Sequence, residues 1–270
     1  MSLDRIAARG MVLLGCGKMG SALLAGWLSR GMSPGSGHVI DPAPSDWLRA
    51  QGVAVNAPLP ESPAVALLAV KPQMMGKALP AMTGFAGGPT LFVSIAAGTS
   101  IAHFEESFGT DSPIIRAMPN TPAAVGRGIT ALIGNARATD ADMALAEALM
   151  AAVGATLRLD EESQMDAVTG LSGSGPAYVF HMIEAMAAAG EAEGLSPEMA
   201  LTLARATVTG AGELAYQAPE SPAQLRTNVT SPGGTTAAAL AVLMDPDAGL
   251  PALMRRAVAA AATRSRELGQ

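Results

Sequence analysis

Met11-Val12-Leu13-Leu14 runs directly into Gly15-Cys16-Gly17-Lys18-Met19-Gly20 and then into the apolar stretch Ser21–Leu28. Four apolar residues closed by a glycine read as a buried strand and the stretch after them as a helix, so the glycines fall where strand gives way to helix. In that setting each glycine has a physical task. The first makes the tight turn, the second lets backbone N–H groups approach a pyrophosphate, and the third lets the helix pack on the strand with its dipole facing the anion. An ordinary glycine turn carries the same letters without the flanking elements. Here both flanks are present, and the pattern predicts a dinucleotide site at Gly15, Cys16, Gly17, Lys18, Met19 and Gly20.

The rest of the first half keeps the rhythm that such a loop demands. Short apolar runs recur at His38–Asp41, Ala64–Val70, Pro89–Ala97, Ile114–Met118, Ile129–Ile133 and Thr156–Asp160, separated by helical or loop segments. That alternation predicts βαβ units and a largely parallel sheet. From Asp160 onward the strand signals stop, and Ala/Leu/Met-rich stretches follow. Ser196-Pro197-Glu198 places a capping Ser before a Pro at the first helical position, and Ser221-Pro222 repeats the device. The expected fold class is α/β: an N-terminal Rossmann dinucleotide-binding domain over residues 1–161, then a C-terminal all-helical substrate and dimerisation domain over 162–270. Helical stretches such as Leu201–Ala215 and Leu250–Leu268 carry apolar faces too wide for about 110 residues to bury alone, which predicts contact with a second subunit.

Asp41 closes its strand 21 residues after Gly20, close to the roughly 20-residue spacing at which an acid meets the adenosine ribose hydroxyls. That position favours NADH, because a carboxylate repels the 2′-phosphate of NADPH. Asp41-Pro42 is equally a turn sequence whose side chain points elsewhere, and the choice between NADH and NADPH stays open. A net charge of −6 supplies no basic field for nucleic acid or anionic lipid. The single cysteine, Cys16, cannot form an internal disulfide, and no Cys/His spacing fits a metal. Met1–Gly10 has no apolar core of a secretion signal, and no apolar run reaches the roughly 20 residues of a membrane span. A cytoplasmic protein is expected.

Six motifs occur in one order along nearly the whole chain: Gly15–Gly20, Ala69-Val70-Lys71-Pro72-Gln73, Ser94-Ile95-Ala96-Ala97-Gly98, Arg116-Ala117-Met118-Pro119-Asn120-Thr121-Pro122, Asp166–Tyr178, and Val229-Thr230-Ser231-Pro232-Gly233-Gly234-Thr235-Thr236. Together they resemble the pyrroline-5-carboxylate reductases, and the stretches around Ser172–Tyr178 and Thr230–Thr236 are particular to that family. The resemblance implies reduction of 1-pyrroline-5-carboxylate to L-proline with NADPH or NADH, and a homodimer that in the family often assembles into a decamer. It also implies that Ala69, Val70, Lys71 and Pro72 line the dinucleotide together with Ile95, Ala96 and Ala97. Asn56 matches an Asn reaching the adenosine side, Asn120 lies in a cofactor-side motif, and Asn228 matches an Asn near the cofactor.

Reducing a cyclic imine needs a hydride donor, a pocket for the ring and a donor to the ring nitrogen, but no covalent nucleophile. The turn Ser231-Pro232-Gly233-Gly234-Thr235-Thr236 answers this: Pro fixes the entry, the two glycines bare their N–H groups, and a helix starting near Thr235 completes a nest for a carboxylate. Ser231, Gly233, Gly234, Thr235 and Thr236 are thus the expected substrate contacts, with Thr236 the catalytic donor by resemblance. A plain capped helix N-terminus is the structural alternative. Ser172-Gly173-Ser174-Gly175-Pro176 reads as a close helix contact, and His181 as an interface residue. Two other enzyme readings remain. The β-hydroxyacid dehydrogenases also open with a GxGxMG loop but use a catalytic Lys, and the lysines here are Lys18, Lys71 and Lys77, none in the second half. A reductase of a six-membered imine differs only in pocket side chains. A coenzyme-sensing protein without catalysis would have no use for the second loop.

Overall fold

The computed structural model of the chain describes residues 4–269. A short helix α1 (Asp4–Arg9) precedes β1 (Met11–Leu14), and the glycine loop leads into α2 (Lys18–Ser29). There follow β2 (Gly37–Ile40), α3 (Asp46–Arg49), β3 (Ala54–Val55), β4 (Val65–Leu68), α4 (Met75–Ala78), β5 (Leu91–Ser94), α5 (Ile101–Phe108), β6 (Ile114–Met118), β7 (Gly128–Gly134), α6 (Asp140–Met150) and β8 (Gly154–Arg158). The strands form one sheet in the order β3-β2-β1-β4-β5-β6-β7-β8, with every pair parallel except β6 and β7.

The side-chain period of two divides each central strand between two cores. Met11 and Leu13 of β1 face one way, joining Leu23, Leu24 and Trp27 of α2 and Leu145 and Leu149 of α6. Val12 and Leu14 face the other way, joining Met75 of α4 and Phe104 and Phe108 of α5. β1, β4 and β5 are buried along their whole length, which is why they read as unbroken apolar runs rather than alternating ones. Each such Leu or Val contributes about 1.5–3 kcal/mol by leaving water. Trp27 closes the α2 layer, its indole N–H donating to the Leu149 carbonyl at 2.9 Å. The strand order runs outward from β1 in both directions, so the topological switch point falls between β1 and β4, at whose carboxyl ends this class of sheet binds ligands.

Past β8 the described residues are helical: α7 (Met165–Val168), α8 (Gly175–Ala192), α9 (Pro197–Gln217), α10 (Pro222–Asn228), α11 (Thr235–Leu243) and α12 (Leu250–Leu268). The chain divides into two compact units, one comprising Met1–Gly173 with Ala261–Gln270 and the other Ser174–Ala260. In the second unit Ser196 caps α9 by accepting from the Met199 N–H, and Ser221 caps α10 by accepting from Gln224. α8 and α9 approach closely because Gly190 lacks a side chain: a Cβ there would stand 3.3 Å from that of Ala200. No helix among the described residues is long and apolar enough to cross a membrane.

Candidate active site

In the β1–α2 loop each glycine has a distinct conformation and surrounding. Gly15 has φ +90°, and a Cβ on it would come within 2.8 Å of Val70. A side chain is therefore excluded by conformation and by contact. A Cβ on Gly20 would lie 2.5 Å from the Gly15 carbonyl oxygen, so its absence lets α2 start directly on the loop. Around Gly17, by contrast, a Cβ would meet nothing within 4 Å. Gly17 is also the N-cap of α2 and makes no side-chain cap, so the first-turn N–H groups face an open, uncapped end where an anion is favoured. One glycine shapes the turn, one stays open and one admits the helix, and this geometry fits a pyrophosphate.

The loops beside it are fastened strand to strand. Gly15 N–H donates to the Ile40 carbonyl at 2.8 Å, Ala69 N–H to Leu14 at 2.8 Å and Ile95 N–H to Leu68 at 3.1 Å. The ladder thus extends past β1, β4 and β5 and brings the loops that begin at Gly15, Ala69 and Ile95 side by side at the carboxyl edge of the sheet. The Lys71 carbonyl accepts from the Met74 N–H at 2.8 Å at the start of the short turn Pro72–Met74, and the Ser94 hydroxyl accepts from the Ala96 N–H at 3.2 Å.

Asp41 follows β2, and its carboxylate points at the glycine loop. One oxygen accepts from the Cys16 N–H at 2.7 Å, and the other accepts from Ala43 at 2.8 Å in an Asx turn. Asn56, just past β3, closes on the Asp41 backbone from the far side: its Oδ1 accepts from the Asp41 N–H at 3.0 Å and its Nδ2 donates to the Asp41 carbonyl at 2.8 Å. Burial, and then the nearby Asp41 charge, push the Cys16 thiol up to about 11. The sulfur is thus uncharged at neutral pH and packs against the core.

Asn120 is buried, and its amide joins two segments, donating to the Ser172 carbonyl at 3.1 Å and accepting from Ile129 at 2.9 Å. It holds the 172 turn to the sheet. Glu162 escaped notice in the sequence: its carboxylate accepts from the Ile101 N–H at 2.8 Å and pairs with the buried Arg116. The pair anchors the end of the 95–101 segment. A buried Arg inside a strand was the signal available for it, since such a charge demands a partner.

In the second unit, α11 begins at Thr235 with Gly234 as an N-cap that makes no side-chain bond. Gly233 has φ +69°, and the Gly234 N–H donates to Ser231 at 3.0 Å, closing the turn. The first-turn N–H groups around Thr235 and Thr236 are uncapped, as a carboxylate nest requires. Asn228 ends α10, where its Oδ1 accepts from Gln224 at 2.7 Å. His181 is exposed and lies 3.1 Å from Glu184.

A family profile for pyrroline-5-carboxylate reductase dimerisation matches residues 162–268. The chain is 39% identical to the pyrroline-5-carboxylate reductase of Pseudomonas aeruginosa, over 100% of this chain and 98% of that one. It belongs to the pyrroline-5-carboxylate reductase family. Solved members of that family agree with the fold. The Coxiella burnetii reductase superposes with a TM-score of 0.89 at 34% identity, covering 97% of this chain and 99% of that one. The Plasmodium falciparum reductase, solved with NADP bound, gives a TM-score of 0.83 at 29% identity over 97% of this chain and 98% of the other. The motif resemblance and the Rossmann-plus-helical fold class both hold, and the reductase family's dimerisation segment covers the helices after β8.

Proposed function

We propose that this chain is the NAD(P)H-dependent reductase that converts 1-pyrroline-5-carboxylate into L-proline, the last step of proline biosynthesis. The observation that carries this reading is the match to a pyrroline-5-carboxylate reductase over the entire chain, with the 231–236 turn included. A bound nicotinamide supplies the hydride, which goes to the C5 imine carbon while the ring nitrogen gains a proton from solvent. Gly15–Gly20 holds the pyrophosphate on the N-terminus of α2. Ala69–Pro72 and Ile95–Ala97 line the coenzyme, Asp41 and Asn56 form the adenosine end of its site, and Asn120 and Asn228 are further coenzyme contacts by the family resemblance. The N–H groups of Gly233 and Thr235, with the Ser231 side chain, bind the substrate carboxylate, while Gly234, whose own N–H closes the turn onto Ser231, leaves room for it to approach. The Thr236 hydroxyl donates to the ring nitrogen, orienting the C5 atom for hydride and stabilising the charge that builds there. The working form is a homodimer, with further assembly towards a decamer, in the cytoplasm.

Steady-state oxidation of NADH and of NADPH by the purified protein, with and without 1-pyrroline-5-carboxylate, tests this reading. Oxidation that depends on the five-membered imine supports it. Turnover confined to a six-membered cyclic imine, or none with either coenzyme, overturns it.

A further inference from the structure

We propose that Asp41, clamped by Asn56, makes this chain select NADH over NADPH. The inference rests on the coenzyme site of the preceding section and deepens it. The turn reading and the ribose-acid reading of Asp41 need not compete, because the observed side chain serves both. Its two oxygens hold the Cys16 and Ala43 N–H groups at 2.7 and 2.8 Å, and a carboxylate offers about four acceptor sites. The remaining lone pairs match a pair of ribose hydroxyl donors. A 2′-phosphate removes one of those donors and brings like charge against the carboxylate.

What turns repulsion into selection is that Asp41 cannot swing away. Rotating it would break the bond to the glycine loop and the Asx turn together. Two hydrogen bonds from Asn56 hold its backbone as well. Asn56 does this from φ 51°, the left-handed region, with its own N–H donating to Val39 at 2.8 Å. Side chains that reach the left-handed region at low cost are few, and Asn is one of them. Asn56 is thus a positioning residue acting through Asp41. The segment after Asp41 adds a second acid, Asp46, and contains no Lys or Arg before Arg49.

Dissociation constants for NADH and NADPH, measured by fluorescence titration of the full-length protein without substrate, test the proposal. NADH should bind at least about ten-fold more tightly. Asp41→Ser should bring the ratio close to one, weakening NADH and strengthening NADPH. Asp41→Asn, which keeps an acceptor for the Cys16 N–H without the charge, should do the same if the serine variant does not fold. Asn56→Gly keeps the backbone conformation free of strain while deleting both clamping bonds, and should shrink the ratio in the same direction. Equal or tighter NADPH binding by the unaltered protein, as a dominant Lys18 would produce, overturns the proposal. An unchanged ratio in the Asp41 variants does so too. Failure of the reductase reading shows separately, as absent imine-dependent turnover in a protein whose coenzyme affinities are measurable.

Discussion

Thr236 stands in the first turn of α11, two residues past the N-cap Gly234, so its hydroxyl is carried by the same turn as the N–H groups proposed to bind the carboxylate. A donor preorganised in this way acts where charge develops, and deleting one typically lowers turnover by about a hundred-fold. Thr236→Ala should therefore lower kcat by that order while leaving the coenzyme dissociation constant unchanged, and Thr236→Ser should restore part of the rate. Full turnover by the alanine variant would remove Thr236 from the mechanism. At this scale the sequence discloses residues whose task is local. Gly15, Gly17 and Gly20 were legible because turn, approach and packing are all decided within six residues. The roles of Asn56, Asn120 and Glu162 were not, because each acts across the fold: Asn56 on Asp41, Asn120 on Ser172 and Ile129, Glu162 on Ile101 and Arg116. No period or spacing records such pairings.

Elements show the same division between local and distant causes. The apolar runs marked β1, β2, β4, β5, β6, β7 and β8, but β3 has two residues and therefore no period to read. Nothing in the run at Ile129–Ile133 announced that β7 lies antiparallel to β6. α2 starts at Lys18 rather than Ser21 because the extended Gly17 caps it inside the loop, and β8 starts at Gly154 rather than Thr156, in register with Gly128. α6 opens on a capping box: the Thr139 hydroxyl accepts from the Asp142 N–H, and the Asp142 carboxylate accepts from the Thr139 N–H at 3.1 Å and from Arg5 of α1 at 3.1 Å. Burial works against ionising Asp142, but the bonds from Thr139 and Arg5 outweigh it and leave its pKa below the ordinary carboxylate value. A carboxyl depressed on folding stabilises the fold above its unfolded pKa of about 3.9, and that contribution disappears as pH falls through the lower folded value. Thr139→Ala should cost about 1 kcal/mol in urea unfolding at pH 7. Asp142→Asn should lose stability at pH 7 and show a shallower decline below about pH 4 than the unaltered protein. An identical acid limb in the two proteins would show that Asp142 carries none of the pH dependence.

For the molecule as a whole, the helical unit cannot account for itself. Its own buried cluster is Ala187, Ala200 and Ala204 with Ile183 packed against them, small side chains with little area to withdraw from water. On the same helices Phe180 is 60% exposed, Leu203 51% and Leu214 55%. Large apolar side chains crowded on one unit mark a surface that another surface covers, and the family segment spanning residues 162–268 is named for dimerisation. Exposed apolar side chains of this size belong to interfaces that form with folding, so the assembly should persist at low micromolar concentration. Sedimentation velocity should then show a species of at least twice the chain mass, and its mass separates a dimer from a decamer. Phe180→Asp puts a charge where the single chain is open to solvent, so within one chain it disturbs little. Against a second subunit the same carboxylate must be buried without a partner. The variant should therefore sediment closer to the monomer and lose thermal stability with dilution. A variant that kept its mass and melting temperature at every concentration would place the interface on some face other than that of Phe180.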